Sequence, residues 1–268
     1  MRSWGHEAKG LIRRELFSVA KDYEKQRGEK FVAKSAIMIP AHECLCVQEA
    51  LRQGIFTTDT KILAIEREPL VAKKMAKQLK KLGIKKFEIL QEDLKDITRL
   101  ELDYAADKLD IDPYDCDQYF DFVYLDTCGC YTDSVRDAIN EIAVFLSPNS
   151  IMAATFMLAD RSGRTWMRSP RGFKHYKFSD RGDVKHAINS QKITGTFHKN
   201  IFEECTYTNL GEYYTLTYAR PYKNSYDDAP MITFMFQSPL YSREVSSFKC
   251  KNIVTESGSD ASYDLKYV

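Results

Sequence analysis

The chain has 268 residues, of which 44% are hydrophobic and 29% charged, and its formal net charge is +1. This length buries a substantial core and suits one large domain, or one domain with an elaboration. The balance excludes a general polycation, so any affinity for nucleic acid must come from local charge, and no apolar run reaches bilayer-spanning length.

The opening "MRSWGHEAKGLIRRELF" lacks the apolar core and small-residue cleavage pattern of a secretory signal. Residues 7–27 read as a polar helix with Leu11, Ile12, Leu16, Phe17 and Ala20 on one broad apolar face. A short strand, "SAIMI", ends at Pro40, and "ECLCVQEALRQG" then spaces Cys44, Val47 and Leu51 as a helix that Gly54 stops. "KILAIER" reads as a buried strand ending near Glu66. Pro69 opens the next helix, with Leu70, Met75, Leu79 and Leu82 expected on its core face and Gly83 closing it.

"FEILQED" is strand-like, the acidic stretch 92–117 has no clear period, and "YFDFVYLD" gives a strand that ends on Asp126. A turn, Thr127-Cys128-Gly129-Cys130-Tyr131, is expected next, with Thr132 as a helix cap. Val135, Ala138, Ile139, Ile142, Ala143 and Leu146 form an amphipathic stripe that Ser147-Pro148-Asn149 interrupts, and "SIMAATFML" is another apolar strand. Residues 159–198 are polar and basic, with one or two short helices at most expected. "EYYTLTYARP" and "PMITFMFQS" predict an antiparallel pair, and "ESGSDASYD" reads as a mobile tail.

Strand and helix patterns alternate from about residue 35 to 157, which predicts an α/β fold: a mostly parallel sheet with flanking helices and a C-terminal antiparallel pair. The expected organisation is an N-terminal helical extension (1–34), a main domain (35–240) that contains a basic substrate-side insertion (159–198), and a C-terminal tail (241–268).

In an open parallel sheet, ligands sit at the C-terminal strand ends beside helix N-termini. This singles out Pro40, His42 and Glu43 after the first strand, Glu66 after the second, Glu92 and Asp93 after the third, and Asp126 through Tyr131 after the fourth. A carboxylate at Glu66 can accept both hydroxyl hydrogens of a ribose, and one at Glu92 or Asp93 can accept from a purine amine.

The segments "AIMIPAHE", "ILAIERE", "ILQEDL" and "FDFVYLDTCGCY" resemble successive strand ends of Rossmann-fold (class I) S-adenosylmethionine-dependent methyltransferases. The resemblance covers roughly residues 35–157, with 210–237 similar to that family's terminal antiparallel strands. It implies S-adenosylmethionine as cofactor, Glu66 holding the ribose, Asp93 the adenine amine, and Asp126 near the methyl being transferred. Pro40, His42, Glu43 and Glu92 complete the implied cofactor site. Two departures stand out. The usual Gly-rich first loop is replaced by Pro40-Ala41-His42-Glu43, whose side chains are expected to crowd the methionine end. The Asp/Asn-Pro-Pro-aromatic turn of amino-directed members is replaced by a segment that retains an acidic start, Asp126, and an aromatic, Tyr131.

The seven cysteines match no disulfide framework and point to reduced thiols in a cytoplasmic compartment. Cys128 or Cys130 as a thiolate nucleophile is one alternative. A zinc site of Cys44, Cys46, Cys128, Cys130 and His42 is another, but Cys-x-Cys is not the usual closed-site spacing, and no metal is expected.

Residues 161–186 interleave cations with Trp166, Phe173, Tyr176 and Phe178, a composition suited to phosphates and stacked bases. Arg164, Arg168, Arg171 and Lys174 are the leading substrate-binding positions. The reading that joins these features is methyl transfer to RNA or DNA, with Asp126 and Tyr131 as catalytic candidates. A non-catalytic nucleotide or adenosylmethionine binder and a nucleic-acid-binding accessory subunit are the alternatives. A protein partner is compatible with either, and no membrane association is expected.

Overall fold

The computed structural model describes residues 7–28, 30–112, 119–130, 133–157, 164–169, 172–177, 215–223 and 230–237. Its elements in chain order are α1 (Glu7–Arg27), β1 (Ser35–Met38), α2 (Leu45–Gln53), β2 (Lys61–Ile65), α3 (Pro69–Lys81), β3 (Phe87–Leu90) and α4 (Arg99–Lys108). They continue with β4 (Phe120–Cys130), α5 (Asp133–Ala143), β5 (Leu146–Met157), β6 (Arg164–Ser169), β7 (Gly172–Lys177), β8 (Thr215–Lys223) and β9 (Pro230–Gln237).

Seven strands form one sheet in the order β3-β2-β1-β4-β5-β9-β8. The first five are mutually parallel, β9 runs antiparallel to β5, and β8 antiparallel to β9. This is a Rossmann-like α/β sheet ending in an antiparallel pair, as the strand–helix rhythm predicted.

Alternation along the strands divides the core in two. Ala36, Met38, Ile62, Ala64, Phe122, Tyr124, Ile151 and Ala153 face a layer built from α1, α2 and α3. Ile37, Leu63, Ile65, Val123, Leu125, Met152, Ala154 and Phe156 face α4 and α5. Being covered on both sides explains why these strands are almost wholly apolar. In the first layer Phe122 stacks on Phe17 of α1 at 5.5 Å and meets Phe56 edge-on at 5.5 Å. α1 is therefore packed into the sheet's own core through Leu16, Phe17 and Ala20.

Helix ends follow the sequence signals closely. Gly54 adopts φ 75° and returns its N–H to Ala50 and Leu51, ending α2. Pro69 occupies the first turn of α3, and Gly83 takes φ 79° just past its end. The face of α3 is a correction: Ala72, Met75 and Leu79 are buried, whereas Leu70 is 71% exposed. At about 100° per residue, Leu70 lies about 140° around the helix from Met75, so the two cannot share a face.

Four further segments differ from expectation. The acidic stretch contains a short 3-10 turn, Leu94–Asp96, and then α4. α4 opens with a Thr98–Glu101 capping box, a Thr-x-x-Glu signal present in the sequence. The stripe assigned to α5 ends at Ala143, and Leu146 already pairs with Phe120 as the first residue of β5. The proline at 148 is accommodated at a register irregularity between Phe120 and Phe122, where a missing ladder donor is tolerated.

The expected turn after Asp126 is instead a continuation of β4. Asp126 pairs with Thr155 and Cys130 with Met157, four residues against two, so the bend is a bulge within the strand. The basic segment forms an antiparallel hairpin, β6–β7, in place of short helices.

At the N-terminal strand edge, Asp121 joins three strands. Its carboxylate accepts from the Lys34 backbone N–H at 2.7 Å and the Ser147 hydroxyl at 3.0 Å. Burial raises the Asp121 carboxyl above its ordinary 3.8, against the opposing effect of these bonds. The folded state therefore holds this proton more tightly than the unfolded chain does. The resulting stability is full below pH 3.8 and is lost as pH rises through the raised value. Asp121→Asn removes that titration. In urea unfolding at stepped pH, the stability difference between variant and wild type should move in the variant's favour above about pH 4. A constant difference across the range contradicts this account.

Candidate functional site

The sheet places the strand tips level before any side chain is considered. Met38 is paired with Ala64 on one side and Tyr124 on the other. Pro40, Glu66 and Asp126 each lie two residues beyond that shared row. β1 lies at the point where the chain reverses its direction across the sheet, with β2 and β3 on one side and β4 and β5 on the other. Such a switch point leaves a crevice that no crossover helix fills.

A cavity of about 560 Å³ occupies this crevice, a size suited to a small organic ligand. Pro40, His42 and Glu43 line it after β1, Glu66 after β2, Glu92 and Asp93 after β3, and Asp126 after β4. All seven expected cofactor-site residues thus border one space. The first loop leaves this space open, and its residues from Pro40 to Glu43 all border it. Its backbone still takes left-handed conformations at Ala41 (φ 52°) and Cys44 (φ 50°), positions where glycine would fit without steric cost. The turn that glycine usually permits is therefore made here by residues with side chains.

Each carboxylate has a defined environment. Glu66 accepts from the Glu68 backbone N–H at 2.9 Å, which leaves lone pairs on both oxygens for a diol. Asp93 caps the 3-10 turn through the Lys95 N–H and is ion-paired with the Arg67 guanidinium at 2.9 Å. Asp126 is ion-paired with Lys9 of α1, whose Nζ lies 3.2 Å from Oδ1 and 3.5 Å from Oδ2. Beside it, the Thr127 hydroxyl donates to the Thr155 carbonyl at 2.6 Å and fixes the exit of β4 against β5.

Sequence reasoning missed Lys9, Arg13 and Arg67, which all line the cavity. Lys9 is only 6% exposed. A signal was available: Lys9 and Arg13 stand four apart on the same side as Phe17, so the apolar stripe of α1 continues N-terminally as a cationic one.

Cys46 also borders the cavity. Burial pushes its thiol up to about 12, helped by the Asp126 charge and opposed by Arg13. Burial likewise raises Cys44 far above the ordinary thiol range. Burial thus favours the protonated thiol at both positions. Among the described residues no cluster of three metal-ligating side chains occurs.

Tyr131 and Arg171 lie outside the described residues. Arg164 and Arg168 fall on β6 and Lys174 on β7, with Arg168 opposite Phe173 and Met167 opposite Lys174. The hairpin forms its own two-stranded sheet. Among the described residues, no helix is long and apolar enough to cross a membrane.

No protein-family model and no curated protein sequence matches the chain. Solved structures with a similar path of the backbone include the N-methyltransferase NodS from Bradyrhizobium japonicum WM9. That chain is 10% identical with a TM-score of 0.48, over 88% of this chain and 99% of that one. The same protein in complex with S-adenosyl-L-homocysteine gives 9% identity and a TM-score of 0.42, over 88% and 95%. An rRNA methylase from Streptococcus thermophilus is 12% identical with a TM-score of 0.41, over 78% and 88%.

The Lys9–Asp126 pair yields a stability prediction. Its two side chains are 7% and 15% exposed, so removing one partner strands a charge with little water to solvate it. Lys9→Met should cost about 3 kcal/mol in denaturant unfolding, and Lys9→Met combined with Asp126→Leu should recover most of that loss. Equal losses in the single and double variants would show that the pairing itself contributes nothing.

Proposed function

We propose that the chain is an S-adenosylmethionine-dependent methyltransferase acting on a nucleic acid. The observation that carries this reading is the convergence of Glu66, Asp93 and Asp126, from the tips of β2, β3 and β4, on one cavity at the switch point of the sheet. The donor set fits an extended adenosine-bearing ligand. Glu66 would receive the ribose hydroxyls and Asp93 an exocyclic amine, while Arg67 holds the Asp93 carboxylate. When bound, adenosylmethionine supplies a methyl group on a positively charged sulfur. The chain's own contribution at that end is Asp126, held by Lys9, which orients the incoming acceptor together with Tyr131.

A nucleic-acid acceptor is supported by the cation–aromatic sequence of residues 161–186 and by the hairpin it forms directly after β5. Cations and aromatics interleaved in one extended segment suit both a phosphate backbone and stacked bases. A second reading, a non-catalytic binder of the same nucleoside, is favoured by the prior engagement of Asp126 with Lys9. The two readings share the cofactor site and differ in turnover on RNA or DNA.

Calorimetric titration with adenosylmethionine should give saturable binding, weakened about tenfold or more by Glu66→Ala. Absence of binding by the folded protein, with nucleic acid also present, would remove the cofactor reading. For the acceptor, neutralising Arg164, Arg168, Arg171 and Lys174 together should reduce the slope of log affinity against log salt by about 3. An unchanged slope would place the phosphate contacts elsewhere.

A further inference from the structure

The α1 cations raise a question that the strand-tip carboxylates leave open. Four basic side chains line the cavity: Lys9, Arg13, Arg67 and Lys95. Lys9 is committed to Asp126 and Arg67 to Asp93. Lys95 is exposed, at the β3 end. Arg13 is half-buried, and no described carboxylate lies within salt-bridge distance of it. It stands one helical turn from Lys9, which is paired with Asp126 at the tip of β4, so Arg13 borders the cavity at its β4 side. An Arg there, partly withdrawn from water with its fork unmatched, is a ready donor to a planar anion.

The same end of the cavity is where the first loop departs from a glycine turn. With side chains at Ala41, His42 and Glu43, the backbone N–H groups of that loop are screened from a close ligand approach that glycine would permit. Glu43 borders the same region and makes no ion pair among the described residues. An unmatched cation and an unmatched anion at one end of a cavity complement a zwitterion.

We propose that α1 completes the cavity as an anion subsite, in which Arg13, steadied by the neighbouring Lys9–Asp126 pair, receives the carboxylate of the ligand's amino-acid end in place of a glycine loop. This rests on the adenosine-binding reading above and adds to it a contact from the N-terminal helix. α1 is then part of the binding site, and its own packing through Phe17 sets the position of the guanidinium. Glu43 receives the ammonium of the same group.

Two ligands separate this contact from the rest of the site. S-adenosylhomocysteine carries the adenosine and the amino-acid end, whereas 5′-methylthioadenosine carries the adenosine and sulfur without the amino-acid end. In calorimetric titrations of the full chain, Arg13→Gln should weaken adenosylhomocysteine about 10-fold or more and leave methylthioadenosine within about twofold. Arg13→Lys, which keeps the charge without the fork, should recover part of the loss. Gln is a good helix former, and circular dichroism checks that α1 persists. Equal weakening of both ligands would assign Arg13 to the shape of the cavity and overturn the subsite, as would no weakening of either. A wild-type protein that binds neither ligand overturns the adenosine reading and the subsite with it. One that binds both equally tightly overturns the subsite alone.

Discussion

The site depends on the way β1 ends. This strand is four residues long, wholly buried, and paired on both sides, with β2 and with β4. Its last ladder bond runs from the Ile39 N–H to the Tyr124 carbonyl at 3.1 Å, and Pro40 has no N–H to continue it. The backbone must leave the sheet there, and it does so through a left-handed Ala41. β2 ends at Ile65 and β4 runs on to Cys130, so their exits stand on either side of the space β1 vacates. Glu66 and Asp126 therefore border one cavity from opposite sides of β1. Local backbone chemistry at one proline thus helps to open the space that two distant carboxylates share.

Electrostatics then shape what the space can hold. The cavity is bordered by five carboxylates, from Glu43, Glu66, Glu92, Asp93 and Asp126, and their mutual repulsion is relieved in two ways. Arg67 and Lys9 each neutralise one from the periphery, while Glu66 is held by a backbone N–H. The Lys9 link spans 117 positions in sequence and fastens α1 over the tip of β4. A buried pair of this kind is weak evidence for stability, because desolvation offsets much of the attraction. Its consequence here is positional, since it fixes both the Asp126 carboxylate and the first turns of α1 at the rim.

Much of this arrangement was legible in the sequence. Buried parallel strands announce themselves as short apolar runs, and the residue after each run is by geometry at the ligand edge. That is why Glu66, Asp93 and Asp126 could be named before their positions were known. Helix termini marked by Gly54, Pro69 and Gly83 were equally readable, because each meets a specific backbone need. The contribution of α1 was only half readable: the spacing of Lys9 and Arg13 continues the Phe17 stripe, but its meaning depends on a distant aspartate placed opposite. The bulge after Asp126 was hidden for a related reason: an extra pair of residues in β4 is defined only by its register against β5. Leu70 is apolar without belonging to the core, because its place in the first turn of α3 is rotated away from the Met75–Leu79 face. The hairpin β6–β7 was missed because its basic composition masks the strand period.

The central claim is that three strand tips form one ligand-binding edge. Hydrogen–deuterium exchange with and without adenosylhomocysteine tests it directly. The account predicts slowed exchange together at 65–67, 92–95 and 126–129, with 57–61 at the opposite edge of the sheet unchanged. Protection confined to a single tip, or appearing at 57–61 instead, would contradict it.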